Sequence, residues 1–140
     1  MSQRIHLDAN VILRFLRNDD PKHSPAAARL FQKAVDGKVA LFISAVTINE
    51  VFFAFTTTYK LSHPDAARKL QPFIRAGSVE FEHGTCVLDA LQRVISENVD
   101  FGDAYLAATA AHDKGFVASF DRDLQKFRDI QLYDLVAKGG

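Results

Sequence analysis

Residues 4–13 read RIHLDANVIL, and the hydrophobic period changes within them. Ile5 and Leu7 bracket His6 in the alternation of a short strand, whereas Val11, Ile12, Leu13, Phe15 and Leu16 follow helical spacing. Asp8 therefore stands at the carboxyl end of a first strand, where a helix begins. In open α/β sheets that edge is where ligands bind. Asp is equally a good helix N-cap. Its meaning depends on whether other carboxylates reach the same edge.

Outward from this corner, turn signals divide the chain into alternating short and long units. The first helix is predicted to stop near Arg17, before NDDPKHSP (18–25). Ser24 and Pro25 suit the N-cap and N1 positions of a second helix over 25–36, with Gly37 past its end. VALFI (39–43) is a compact apolar run that reads as a buried parallel strand. Helices follow over 47–60 and over 64–77, the latter opened by Pro64 and kinked at Pro72. VEFEH (79–83) alternates as a third strand. Thr85 caps a helix with Val87, Leu88, Leu91, Val94 and Ile95 on one face. AYLAATAAHDKG (104–115) is a small-residue helix suited to close packing. FVAS (116–119) is a fourth strand, RDLQKF (122–127) a helical turn and IQLYDL (130–135) an edge strand. Strand–helix alternation with short connections predicts an α/β fold: a three-layer α/β/α sandwich around a mainly parallel central sheet of four to five strands.

The 140 residues fit one domain over 1–140. Lys plus Arg equals Asp plus Glu at 17 each, so any nucleic-acid-binding surface must be local. A single cysteine, Cys86, fits a reducing compartment. The first fifteen residues lack the apolar core of a signal peptide, and VFFAF (51–55) is too short to span a bilayer. The expectation is a soluble, cytoplasmic protein.

Four acids fall near one sheet edge in this reading. Asp8 ends the first strand, Glu50 lies in the helix after the second, Asp103 opens the small-residue helix and Asp121 follows the fourth strand, with Asp123 two residues on. Each has an ordinary structural explanation. Asp8 and Asp103 suit helix caps, Glu50 follows Thr47 at capping-box spacing, and Asp121 and Asp123 suit a turn. Together they point elsewhere. Carboxylates gathered at one edge repel unless cations neutralise them, and Arg122 is only a partial candidate. An all-oxygen donor set suits Mg²⁺ or Mn²⁺. Two such ions about 3.5–4 Å apart would serve an in-line phosphoryl displacement. Ser119 offers an outer contact to a metal or a strand-end hydrogen bond, and Asn10 either supports Asp8 or favours the helix start. The histidines at 6, 23, 63, 83 and 112 lack zinc-ligand spacing, and no GxSxG, P-loop or GxGxxG motif occurs.

In HLDANVILRFL (6–16), ISAVTINEVFFAF (43–55), DFGDAYLAATA (100–110) and VASFDRDLQKF (117–127) the chain resembles a PIN domain, the metal-dependent ribonuclease fold of VapC-type toxins in toxin–antitoxin pairs. The resemblance spans nearly the whole length. It departs at Ala9, where many relatives carry Ser or Thr. It implies an acidic site of Asp8, Glu50, Asp103 and Asp121, catalytic and metal-binding, with Asn10, Ser119 and Asp123 in support. The implied cofactor is one or two Mg²⁺ or Mn²⁺ ions, and the implied reaction is hydrolysis of an RNA phosphodiester to a 5′-phosphate and a 3′-hydroxyl. Local cations would grip the RNA, with Arg14, Arg17, Lys22, Lys60 and Arg122 as candidates. A small antitoxin protein and a homodimer are the implied protein partners. VFFAFTTTYKL (51–61) either contributes to such an interface or is wholly internal.

Two other readings make different predictions. A stand-alone PIN nuclease of RNA processing would share the chemistry without an antitoxin. A receiver-like signalling module would need a phospho-accepting Asp after the third strand and a Lys after the fifth; VEFEH is followed by GTC (84–86) instead.

Overall fold

A computed structural model describes residues 3–136; Met1, Ser2 and 137–140 of the expected 1–140 domain lie outside the described residues. In chain order the elements are β1 (Gln3–His6), α1 (Ala9–Arg17), α2 (His23–Val35), β2 (Val39–Ile43), α3 (Ala45–Thr57), α4 (His63–Arg75), β3 (Val79–Phe81), α5 (Gly84–Glu97), α6 (Phe101–Asp113), β4 (Phe116–Val117), a 3₁₀ turn (Arg122–Lys126) and β5 (Gln131–Leu132). The fold is α/β, as the alternation predicts.

β1, β2 and β3 form a parallel sheet in that order, with Ile5 opposite Leu41 and Leu41 opposite Val79. β4 and β5 form a separate parallel pair, extended by a 2.7 Å bond from Tyr133 N to Val117 O. One continuous ladder of four to five strands is therefore not formed among the described residues. The reason lies in strand length: β4 has two residues between Gly115 and the turn at Ser119, too few for a long ladder. It joins the core through side chains, for Val117, Leu124 and Phe127 all belong to the main apolar cluster.

That cluster explains the helices. α3 buries Ile48, Val51, Phe52 and Phe55 at one-face spacing, and α5 buries Val87, Ala90, Leu91 and Val94. α6 buries Ala104, Ala107 and Ala108 completely, which lets its backbone lie close to α5. Phenylalanines replace the missing Trp: Phe15 stacks on Phe31 at 4.1 Å, Phe31 meets Phe73 at 5.6 Å, and Phe73 meets Phe81 at 6.0 Å. This chain of rings ties α1, α2, α4 and β3 together.

Two local expectations change. α2 begins at His23 rather than Pro25, because Asp20 Oδ1 accepts from the backbone N–H groups of Lys22 and His23 at 2.9 and 2.8 Å. Ser24 is instead buried and donates to Arg14 O at 2.7 Å. α5 begins at Gly84 after His83, which has a φ of 51° and makes no side-chain cap, so Thr85 lies inside the helix. α4 holds Pro72 within it and ends at Arg75.

Candidate metal centre

The parallel register sets His6 opposite Phe42, so the ends of β1 and β2 leave the sheet at one edge, and Leu7 N still bonds Phe42 O at 3.0 Å. α1 and α3 start from that edge and pack on each other, and α3 packs in turn on α6. Asp8, at the start of α1, and the helices that carry Glu50 and Asp103 thus belong to a connected set of elements.

The capping explanations for three of these acids fail on inspection of the caps. Asp8 occupies the N-cap position of α1, yet its carboxylate makes no capping bond. α3 is capped by Ser44, which accepts from Thr47 N at 3.2 Å, and by Glu82, whose Oε1 accepts from Ala45 N at 3.0 Å. Glu50 therefore lies beyond the first turn, exposed and with no hydrogen bond or ion pair among the described residues. α6 is capped by Asp100, whose Oδ1 accepts from Asp103 N at 2.8 Å. Asp103 is thereby freed of that task. Asp121 alone among the four fulfils its local role, accepting from Asp123 N at 2.9 Å to open the 3₁₀ turn.

Asp103, Asp121 and Asp123 each bring one carboxylate oxygen within 4.8 Å of the other two. Asp8 and Glu50 do not belong to this group. Asp123, expected only in support, stands on the same footing as Asp103 and Asp121. Its two-residue spacing from Asp121 was the visible signal. Ser119 Oγ accepts from Asp121 N at 3.0 Å, so it shapes the turn. Asn10 makes no bond to Asp8 among the described residues and lines a hollow beside Arg14.

The local charge is poorly balanced. Lys126 Nζ stands 3.2 Å from Asp123 Oδ1 on the exposed rim and also donates to Glu97 O. Arg122 is exposed and pairs with nothing among the described residues. Arg14 donates to Tyr59 Oη at 2.8 Å, and Arg17 lies 3.7 Å over the Tyr59 ring, so both are engaged away from the acids with Asp19. Lys22 and Lys60 are exposed. The consequence falls on Asp103. Burial first, then the charge of Asp100 and the close carboxyls of Asp121 and Asp123, push its pKa up to about 6.

This shift has a measurable cost. The unfolded chain gives up the Asp103 proton near 3.8, whereas the metal-free folded state holds it to about 6. Stability is therefore expected to fall between those pH values and stay lower above them. Allowing for solvent screening of a half-exposed group, the drop is on the order of 1 kcal/mol. Urea titrations in chelator across that pH range check it, and Asp103→Asn should flatten the profile.

The donor set fits a hard divalent cation. It consists of three carboxylates with no sulfur or imidazole among the described residues, and one solvated lysine stands at its rim. The segment bearing Asp121 and Asp123 is itself anchored: Leu124 and Phe127 are buried, and Arg93 of α5 forms a two-point pair with Asp129 while also pairing with Asp89. No helix among the described residues is long and apolar enough to cross a membrane.

No curated protein matches the chain. The model of the PIN domain family matches residues 5–130, a span that takes in the β1–α1 corner, all three converging carboxylates and their anchor, and the chain belongs to that family.

Proposed function

We infer that the chain is a metal-dependent endoribonuclease, and that Asp103, Asp121 and Asp123 hold its Mg²⁺ or Mn²⁺, one or two ions. PIN domains are generally metal-dependent nucleases, which sets the receiver-like alternative aside. The observation that carries the reading is the convergence of three carboxylates at a point where, among the described residues, one rim lysine pairs with them.

Asp8 and Glu50 complete the proposed active site as free carboxylates at the edge shared with α6. The divalent cation supplies charge neutralisation and Lewis acidity to phosphoryl transfer. The residues do the rest. Asp100 holds the first turn of α6 and so orients Asp103. Asp123 N donates to Asp121 Oδ1 and so fixes the carboxylate that would hold the metal. Water adds to phosphorus, the bond to the 3′ oxygen breaks, the water proton passes to Asp8 or Glu50, and the departing 3′ oxygen takes a proton from solvent. Products are a 5′-phosphate and a 3′-hydroxyl. Arg122, exposed beside Asp121, is assigned to a substrate phosphate.

The finer parts of the proposal are a single domain over 1–140 with the three-layer arrangement, and a cytoplasmic toxin of a type II toxin–antitoxin pair. That toxin would form a homodimer and be held by a small antitoxin. The deciding experiment incubates the purified chain with end-labelled total RNA in Mn²⁺ and in chelator. Discrete cleavage only with Mn²⁺ is expected. A folded chain that neither cuts RNA nor binds Mn²⁺ would return the acids to a structural role.

A further inference from the structure

The exposed aromatic of α3 has no structural task. Phe52 and Phe55 are buried, but Phe53 is 65% exposed and its ring meets no other ring among the described residues. It borders a hollow of about 310 Å³ between α3, the start of α4 and the start of α6. That size lies at the small end of ligand pockets, which run to roughly 300–1,000 Å³. Asn49 lines it with an amide that has no partner among the described residues, and His63 lines it with a ring held 5.7 Å from Phe52. Thr57 donates its hydroxyl to Phe53 O at 2.6 Å, so toward the hollow it can only accept. Asp100 closes the far side and is bonded through Oδ1 to the backbone of Asp103. Through Asp100 the hollow reaches the first turn of α6, which carries Asp103.

We propose that this hollow binds one unpaired base of the RNA strand whose phosphate lies at the acids, with Phe53 as the stacking surface and Asn49 reading the base edge. The inference rests on the nuclease reading above. A base fits for three reasons. It is flat and apolar on its faces, as Phe53 requires. It is neutral, so Asp100 does not repel it as it would a phosphate. Its amino groups supply the donors that the accepting oxygens of Thr57 and Asp100 lack. Uracil brings one ring N–H and no amino group, so it is the base this lining accepts least. A paired base has its face and edge covered, which restricts the site to single strands.

Two measurements test this. In the first, total RNA is cut with Mn²⁺ by the wild type, Asn49→Ala and Phe53→Ala, and the cut ends are sequenced. The wild type should disfavour uracil at one position beside the cut, and both variants should flatten that preference. In the second, short random-sequence single-stranded RNA is titrated against the Asp103→Asn protein by fluorescence anisotropy. Adding Phe53→Ala should weaken binding about tenfold and leave binding of the matching duplex unchanged. Wild-type cleavage with no base preference, or an unchanged preference in both variants together with unchanged affinity on adding Phe53→Ala, overturns the pocket and leaves the nuclease standing. A change in sedimentation with Phe53→Ala also overturns it, because it assigns the ring to contact between copies. Loss of binding in Phe53→Ala from a wild type that cuts nothing supports the pocket and overturns the nuclease.

Discussion

Asp103→Asn is expected to lower Mn²⁺-dependent RNA cleavage on the order of 10³-fold while the protein stays folded and becomes more stable without metal. The two effects have one cause. Asp103 is a half-buried member of the cluster, held beside Asp121 and Asp123; burial and those neighbouring charges raise its pKa to about 6. A bound cation turns that repulsion into affinity, because the carboxylates then face an opposite charge. The amide keeps the shape and leaves the backbone bond to Asp100 intact, but it removes the charge that the cation needs. Losing several kcal/mol of transition-state stabilisation corresponds to a rate loss of about 10³. Single-turnover cleavage gives the rate, and melting in chelator gives the stability. Cleavage within tenfold of wild type would remove the cluster from the chemistry. A lower melting temperature in chelator would mean that the three charges do not strain the fold.

Leu124→Ala carries the largest expected cost in stability, about 2–5 kcal/mol, because the side chain is 1% exposed and its loss leaves a cavity. Its position makes it informative about the site as well. Leu124 follows Asp123 directly and is, with Phe127, the apolar anchor of the turn that carries two of the three carboxylates. Loosening it should raise the dissociation constant for Mn²⁺, read by titration of the folded variant at low temperature. Leu70→Ala is the control. Leu70 is fully buried in α4, so it should cost comparable stability. It lies outside the segments that bear the acids, so metal affinity should hold. Equal weakening by both variants would mean that affinity follows overall stability and owes nothing to the anchor.

Much of this molecule is legible along the chain because its signals are local. The change of period at Asp8, the apolar run 39–43, the alanine-rich stretch 104–111 and the two-residue spacing of Asp121 and Asp123 each report on neighbours a few residues apart. Twist, helical phase and turn geometry act over that distance. The order of strands and helices therefore follows from the sequence alone, as does the family resemblance that residues 5–130 bear out.

What the sequence left open concerns groups far apart in the chain. Asp8, Glu50 and Asp103 all look like caps locally. Glu50 and Asp103 are released because Ser44, Glu82 and Asp100 take their places, and Glu82 reaches Ala45 across 37 positions. Likewise β4 reads as a strand of the main sheet, but its partner is β5 and its ladder ends after two residues. Which oxygen accepts which N–H is decided by packing, since each buried or half-buried donor takes the acceptor that the folded backbone brings to it. Local pattern determined that acids would stand at the ends of these elements; the tertiary structure decided which of them were left free to meet.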